Sequence, residues 1–346
     1  MFIQNAWYVA ATREDLAAGP LGRTICGQPI VFFRNAQGEA VGLEDWCPHR
    51  GAPLSLGRVV EGRLVCGYHG LEMGCDGRTV SMPGQRVRGF PPIRSYPVTE
   101  YAGFVWVWPG DPALASRDAL PTLPWADNDR WAFGGGLYHV RCDYRLMIDN
   151  LMDLTHETYV HADSIGQHEI DETPCHTRTE GETVITSRVM ESIQAPPFWA
   201  TAMSAHGLDP SQAVDRWQVC RFSPPSHVMI EVGVALAGSG VREAPAQSRV
   251  SSVVVDFITP ETANSIWYFW GMARDYRPDD QALTERIREG QGRIFGQDLE
   301  VLERQQANLE RWPDRRMLSL NIDSGSVMAR RIIDRMIASE RSPIAA

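Results

Sequence analysis

Two pairs of metal-binding side chains in the first quarter of the chain restrict its fold most strongly. One pair is Cys47 and His49, the other is Cys66 and His69, and sixteen residues separate His49 from Cys66. A glycine closely follows each pair, which allows the backbone to turn sharply and present both side chains in one direction. The chain must therefore fold so that two loops meet at one metal site.

Two kinds of metal site fit these four ligands. Two thiolates and two imidazoles can hold a tetrahedral zinc, as in structural zinc modules. Alternatively, the cysteines hold one iron of a [2Fe-2S] cluster and the histidines hold the other. Zinc modules commonly pair cysteine with cysteine and histidine with histidine along the chain, whereas here each loop supplies one cysteine and one histidine. The spacing therefore favours a [2Fe-2S] cluster held between two loops.

Short apolar segments separated by glycine and proline occupy the chain from Met1 to about Gly110, which predicts a small all-β domain. The predicted strands are residues 29–34, 40–45, 63–66, 79–82 and 104–108. A linker rich in proline and glycine follows, and it extends to the run Gly134 to Gly136. We place the boundary near residue 115, which gives domains of residues 1–115 and 116–346.

The second domain is predicted to combine one antiparallel sheet with helices, so the fold class is α+β. Its sequence begins with a strand-like run at residues 137–144, followed by the segment from Asp149 to His161. Alternating patterns predict strands at residues 182–191, 217–222, 227–235, 248–258 and 265–272. The period then changes, which predicts helices at residues 280–312 and 326–339.

The composition limits the partners and the location of the protein. A net charge of -10 argues against nucleic acid, whose phosphates require clustered lysine and arginine. No apolar run approaches the roughly 18 to 20 residues of a membrane span, and the first residues do not form a secretory signal. We therefore expect a soluble, cytoplasmic protein. Its seven cysteines are too few and too scattered for a disulfide scaffold.

A second candidate metal site lies between Asp149 and His161, where histidines and acids alternate with apolar residues. The apolar residues indicate burial, and buried polar groups need partners such as a metal ion. We predict a helix of about four turns here, on which His156 and His161 point about 140° apart. Binding of one ion by both then requires a π-bulge or an unwound helix end. Two histidines and one carboxylate form the facial triad of non-haem Fe(II) oxygenases.

The carboxylate must come from elsewhere in the chain, and Asp298 is the candidate. At 100° per residue, Asp298 lies about 60° from Phe295, within the apolar stripe that Leu302 continues, whereas Glu300 lies on the opposite side. An acid in an apolar stripe needs a counter-charge, which Fe(II) supplies. The alternative is an acid at the edge of the stripe that reaches water.

Together, these motifs resemble those of the Rieske non-haem iron oxygenases, and most closely those of the short O-demethylases. The resemblance covers essentially the whole chain and rests on the motifs Cys47-x-His49, Cys66-x2-His69 and Asp153-x2-His156-x4-His161. Leu71 stands where many ring-dihydroxylating members have tryptophan. This difference weighs against ring dihydroxylation.

The resemblance implies an N-terminal Rieske domain followed by a catalytic domain of the helix-grip type. It implies a monooxygenase that uses O2 and electrons from NAD(P)H, delivered by a flavin and [2Fe-2S] reductase, to oxidise the methoxy group of an aromatic acid. It also implies a homotrimer in which Asp153 links His156 to a Rieske histidine of the neighbouring subunit. Alternatively, Asp153 supports His156 within its own subunit. Asn150 is a weak or distant neighbour of the iron.

The substrate pocket is expected between the sheet and the helix that carries His156. Aromatic and branched residues of the predicted strands, together with two aromatic residues that precede them, are candidates for its wall, although such residues more often belong to an ordinary core. These candidates are Phe198, Trp199, Ile230, Val232, Val254, Ile258, Trp267 and Phe269. A group that binds a carboxylate is expected as well, and Arg221 is one possibility, although a charged residue in a strand usually faces solvent.

Two other classes of protein compete with an oxygenase. The first domain alone would serve as an electron carrier of the Rieske ferredoxin kind, but His156, His161 and Asp298 argue against it. A binding protein stabilised by zinc is the other alternative.

Overall fold

The computed structural model describes residues 1–341 and divides them into two compact units. The first unit contains Met1–Ala126, Thr259–Ala263 and the described residues from Ile337 onward, and the second contains Asp127–Ile258 and Asn264–Met336. The domain limits 1–115 and 116–346 stay a prediction. Among the described residues, no helix is both long enough and apolar enough to cross a bilayer.

The first unit consists of three small β-sheets, so the all-β prediction for this part of the chain is confirmed. In the sheets, the strands are ordered β1-β11-β10, β2-β3-β4-β9 and β5-β6-β7-β8. The strands are β1 (Tyr8–Thr12), β2 (Leu21–Ile25), β3 (Gln28–Arg34), β4 (Ala40–Glu44), β5 (Arg58–Val60), β6 (Arg63–Val65), β7 (Glu72–Met73), β8 (Thr79–Ser81), β9 (Ser95–Tyr96), β10 (Val98–Tyr101) and β11 (Phe104–Val107).

The core of the first unit reaches directly to the predicted cluster ligands. Phe33, Leu43 and Leu64 are fully buried, and Cys47 and Cys66 belong to the same apolar cluster. The two cysteines are therefore fixed by ordinary core packing, while the loops that carry them continue to the surface.

The second unit is built on a seven-stranded antiparallel sheet with the order β12-β18-β17-β16-β15-β14-β13. Its strands are β12 (Ala132–Val140), β13 (His176–Glu180), β14 (Thr183–Ile193), β15 (Val214–Ser223), β16 (His227–Leu236), β17 (Arg249–Thr262) and β18 (Ser265–Arg274). The helices are α1 (Tyr144–Met152), α2 (Glu157–Val160), α3 (Glu169–Glu172), α4 (Pro197–His206), α5 (Gln281–Arg311) and α6 (Ser324–Arg341). Together with the all-β first unit, this arrangement confirms the α+β fold class.

The run Gly134 to Gly136 belongs to strand β12 and not to a loop, so the prediction that it is part of the linker is wrong. A Cβ atom on Gly136 would lie 2.6 Å from the Trp270 ring, and one on Gly135 would lie 2.2 Å from the Trp270 carbonyl oxygen. Gly136 leaves room for the Trp270 ring and Gly135 for the close approach of the β18 backbone, and local composition does not reveal these tertiary requirements.

The single helix predicted across Asp149 to His161 is also wrong, because the chain breaks into α1 and α2. Asp153 ends α1 in an extended conformation, with φ -92° and ψ 110°. Its carboxylate accepts hydrogen bonds from the backbone N–H of Thr155 at 2.7 Å and from the Thr155 hydroxyl at 2.6 Å. A short polar side chain thus offers the backbone an alternative to the helix, and one-turn α2 follows with His156 and His161 at its two ends.

Helix α5 extends from Gln281 to Arg311, within one residue of the prediction at each end. The Asp280 side chain caps its first turn by accepting a hydrogen bond from the Leu283 N–H at 2.9 Å. Ile294, Phe295 and Leu302 are buried on one face of the helix. This face also carries Asp298, so the amphipathic pattern of α5 determines which way that carboxylate points.

Candidate metal centres and substrate cavity

His156, His161 and Asp298 come together in the second unit. The Nε2 atom of His156 lies 3.5 Å from Asp298 Oδ1, and the Nε2 atom of His161 lies 3.3 Å from Asp298 Oδ2. Within the described residues, this is the one group of three or more histidine, cysteine, aspartate or glutamate side chains whose ligand atoms all lie within 4.8 Å of one another. The helix break explains the convergence, because a one-turn helix flanked by irregular backbone brings both imidazoles to the same side.

Hydrogen bonds to the other ring nitrogens orient both imidazoles. His156 Nδ1 lies 2.8 Å from the carbonyl oxygen of Asp153, and His161 Nδ1 lies 2.8 Å from Gln297 Oε1. Because both partners are acceptors, each Nδ1 donates to its partner, and each Nε2 is directed at Asp298, where it donates a hydrogen bond when protonated and offers a lone pair to a metal ion when deprotonated. Sequence reasoning missed Gln297, although its position directly before Asp298 on α5 was an available signal.

The charge of Asp298 is stabilised at this position. Burial alone would raise the pKa of the carboxyl group, but hydrogen bonds and charge interactions with His156 and His161 hold it at about 2. Asn150 also donates a hydrogen bond to Asp298 Oδ1 at 3.1 Å. Two imidazoles and one carboxylate match the donor set of the facial triad that binds Fe(II). Asn150 therefore contacts the carboxylate of the candidate triad, and its place near the iron stays a prediction.

Each of the two Cys/His loops of the first unit contains a backbone turn of the same kind. The N–H of Gly51 donates to the carbonyl of Cys47 at 2.8 Å, and the N–H of Gly70 donates to the carbonyl of Cys66 at 3.0 Å. Both glycines have positive φ, at 67° and 74°. Each loop therefore requires its glycine to close the turn that follows the cysteine.

The positions of the four side chains fit a two-iron cluster better than a zinc ion. Cys47 and Cys66 are buried, whereas His49 and His69 are exposed and their ring centroids lie 4.6 Å apart. Burial raises the pKa of the Cys47 thiol, and the adjacent Cys66 thiol raises it further. Within the described residues, no three of these ligands lie within 4.8 Å of one another, whereas a tetrahedral zinc holds its ligand atoms within about 4 Å.

A buried charged cluster holds the turn that carries His156 against the sheet. Glu157 is bonded to Arg216 Nη2 at 3.0 Å and accepts a hydrogen bond from Gln218, both on β15. Arg188 on β14 lies 4.0 Å from Glu157 and donates to the carbonyl of Leu154. All four polar side chains are buried, and sequence reasoning identified none of them. For Arg216 and Gln218 the signal was alternation in β15, where polar residues stand at positions that face the helices.

A cavity opens beside the three candidate iron ligands. It is partly open to solvent, and about 620 Å³ of space, including that open part, lies between its walls. His156, His161 and Asp298 line it together with apolar residues of the sheet and of helices α4 and α5. Five of the eight residues proposed for the pocket wall lie there, namely Phe198, Trp199, Ile230, Val232 and Val254.

Trp267 and Phe269 do not line the cavity, because side chains alternate along β18. Tyr268 and Trp270 contact Phe295 of α5, with ring centroids 5.4 Å and 5.7 Å apart. Trp267 and Phe269 therefore point to the opposite face of the sheet.

Arg221 and Ile258 are also absent from the cavity wall. The Cys220 thiol on β15 contacts the carbonyl of Leu151 at 3.2 Å, so Cys220 faces α1 and its neighbour Arg221 faces away. Ile258 shares a strand face with Val254 but lies about 13 Å further along β17. Arg216, an even-numbered residue of β15, is the arginine that reaches the cavity.

Comparisons with known proteins agree with the fold of both units. Residues 6–97 match the Rieske [2Fe-2S] domain, and residues 140–339 match the vanillate O-demethylase oxygenase C-terminal domain. The vanillate O-demethylase oxygenase subunit of Pseudomonas sp. (strain HR199) is 63% identical over 99% of this chain and 96% of its own length. The oxygenase component of dicamba O-demethylase from Stenotrophomonas maltophilia is 34% identical over 97% of this chain and 98% of its own.

A crystal structure of dicamba monooxygenase bound to 3,6-dichlorosalicylic acid superimposes with a TM-score of 0.90 at 32% identity, covering 99% of both chains. The fold and site thus define a Rieske-type non-haem iron oxygenase. Within that class, the chain belongs to the family of the vanillate O-demethylase oxygenase subunits.

Replacement of Gln297 by leucine tests the support of His161. We expect Gln297→Leu to weaken retention of the mononuclear iron by about 10- to 100-fold, because the imidazole loses the acceptor that orients it. Iron that remains after dialysis against a chelator measures the effect. Glu300→Gln, an exposed position one turn away on α5, should retain iron like the unaltered protein. Equal retention by both variants would show that Gln297 does not support the site.

Proposed function

We propose that the protein is the terminal oxygenase component of an O-demethylase that converts vanillate to protocatechuate and formaldehyde. The observation that carries this proposal is the cavity lined by His156, His161 and Asp298, in a chain 63% identical to a vanillate O-demethylase oxygenase subunit. The reaction consumes one O2, two electrons and two protons, and releases water together with the two products. Oxygen insertion into a methoxy C–H bond gives a hemiacetal, which breaks down to the phenol and formaldehyde.

The proposed ligand sets divide the chemistry between the two units. Cys47, His49, Cys66 and His69 would hold the [2Fe-2S] cluster, and His156, His161 and Asp298 would hold Fe(II). When bound, these groups transfer single electrons and activate O2. The protein contributes position and shielding. Because His156, His161 and Asp298 line the cavity, an ion that they held would be reached from it, and the apolar wall limits the entry of water.

Electrons are proposed to come from NAD(P)H through a separate reductase that carries flavin and a [2Fe-2S] cluster. An oxygenase subunit belongs to a multicomponent system, and the relatives bear this name. The exposure of His49 and His69 supports the proposal, because a partner can approach the cluster there at a short distance.

The alternative substrate is another methoxylated or methylated aromatic acid, such as syringate, veratrate, an anisate or a dicamba-like compound. The likeness to dicamba O-demethylase supports this second candidate. The same cavity and the same ligands would serve each of these substrates, so the choice between them does not alter the proposed chemistry.

We also propose a homotrimer in which Asp153 links His156 to a Rieske histidine of the neighbouring subunit. Asp153 is half-buried, and its Oδ2 lies 4.0 Å from His156 Nδ1. His156 lines both the inner cavity and a surface groove that is rimmed by the exposed side chains of Tyr159 and Ile322. An exposed apolar rim beside a candidate iron ligand supports docking of another subunit at this groove.

Formaldehyde release tests the proposed activity. With NADH, a cognate reductase and vanillate, we expect O2 uptake and formaldehyde in equal amounts, with protocatechuate as the aromatic product. If another methoxybenzoate reacts and vanillate does not, the substrate assignment fails while the demethylation chemistry stands. A colourless preparation that contains zinc and lacks iron would contradict the oxygenase proposal itself.

Asp153→Asn tests the link between subunits. The amide keeps an oxygen for Thr155 but loses the charge, so we expect both metal centres to be retained and electron transfer to slow by about 10- to 100-fold. The rate at which the reduced cluster is reoxidised in a single turnover with substrate and O2 measures this step. Asp163→Asn, an exposed position near His161, serves as the control. Loss of iron from Asp153→Asn would instead make Asp153 a structural support of the iron site.

A further inference from the structure

Gln291 is a buried polar residue of the cavity wall that the proposed chemistry does not use. It lies on the face of α5 that carries Ile294, Phe295 and Asp298, and 6% of its surface is exposed. Its amide lines the cavity and has no hydrogen-bond partner among the described residues. The amide of this mostly buried side chain is thus open to the cavity, where it is placed to bond a group that enters.

The position of Gln291 separates it from the iron ligands. Seven residues along an α-helix correspond to nearly two full turns, so Gln291 and Asp298 share a face and lie about 10.5 Å apart along the axis of α5. Gln291 therefore faces the part of the cavity distant from His156 and His161. A ligand that reaches from the iron to Gln291 must span about the length of one substituted benzene ring.

Charged side chains also line the same cavity, among them the acids Asp153, Glu157 and Asp298. Arg216 lines it, Arg188 lies behind it, and Glu157 is the acid bonded to Arg216 in the described part of the chain. A second acid, half-buried Glu169, lies further away and is bonded to Gln167. Two guanidinium groups thus share one buried carboxylate, and an anion in the cavity would complete the balance of charge.

The ionisation of Arg216 agrees with this balance. Burial lowers the pKa of the guanidinium, and the charge of Arg188 lowers it further, against the opposing effect of Glu157. The Nε atom of Arg216 is also buried without a hydrogen-bond partner in the described residues. The cluster is therefore incompletely satisfied within the protein, and a bound anion would stabilise it.

We propose that Gln291 recognises the substrate carboxylate in this cavity, whose wall also carries Arg216. The Gln291 amide donates a hydrogen bond to the carboxylate of the aromatic acid, and Arg216 supplies the positive potential, so the ring is oriented with its methoxy group toward the iron ligands. This inference rests on the proposed function, and it assigns to Arg216 the role that the sequence had suggested for Arg221. Gln291 becomes a determinant of specificity for anionic substrates.

Gln291→Met tests the inference, because methionine keeps the length of the side chain and removes its hydrogen bonds. We expect Gln291→Met to weaken vanillate binding by about 10- to 100-fold, as for loss of a hydrogen bond to a charged group. Calorimetric binding to the enzyme without reductase measures this effect, and kcat/KM for formaldehyde release should fall in parallel. Gln305→Met, the same exchange at an exposed position of α5, should leave both quantities unchanged.

Ligands that lack one group identify the partner of Gln291. Binding of 3-methoxybenzoate, which has the carboxylate but not the hydroxyl, should weaken as much as that of vanillate, whereas 2-methoxyphenol, which has no carboxylate, should be unaffected. An unchanged affinity for 3-methoxybenzoate would assign Gln291 to the hydroxyl and overturn the proposal. Equal losses for all three ligands would overturn it as well, because Gln291 would then only shape the cavity.

The amide of vanillic acid tests the contribution of charge without altering buried Arg216. We expect the unaltered enzyme to bind the neutral amide at least about 10-fold more weakly than vanillate, and equal binding would contradict the role of Arg216. Failure of the proposed function is a separate result. If no methoxybenzoate releases formaldehyde but carboxylate binding still depends on Gln291, the function fails and the recognition site stands.

Discussion

The buried carboxylate of Asp298 between two imidazoles is the interaction on which the arrangement of the second unit depends. Its side chain is 5% exposed and lies in an apolar face of α5, where an uncompensated charge would be strongly unfavourable. His156 and His161 offset this cost when their protonated Nε2 atoms donate hydrogen bonds to the carboxylate. A divalent cation bound between the three side chains would offset it as well. The stability of the site therefore requires that α2 and α5 lie at a fixed separation.

The large sheet sets that separation. On one side, Tyr268 and Trp270 of β18 contact Phe295 of α5. On the other side, Glu157 at the start of α2 is held by Arg216 of β15. Both contacts come from side chains on the same face of one sheet, so the pairing of its strands fixes the distance between the histidines and the carboxylate. The charged cluster around Glu157 thus has two consequences, because it positions the histidine turn and gives the cavity its polar wall.

The features that the sequence predicted correctly are those carried by local patterns. The Cys/His spacing indicated the Rieske domain, and the α+β class followed from short strands and a change of period, as the family matches and the structure agree. The cavity wall was harder to predict, because a shift of one residue in a strand reverses every side chain, which placed Arg221 on the wrong face and left Arg216 unnoticed. Gln291 resembled any polar residue of a long helix, since only the packed structure shows that its amide is buried.

Iron content combined with electron paramagnetic resonance tests the central claim, that His156, His161 and Asp298 hold an iron distinct from the Rieske cluster. The unaltered protein should contain about three iron atoms per chain, two in the cluster and one at the triad. Asp298→Ala should contain about two and keep the signal of the reduced cluster unchanged. Retention of all the iron by this variant, or loss of the cluster signal from a folded protein, would contradict the assignment of two separate metal centres.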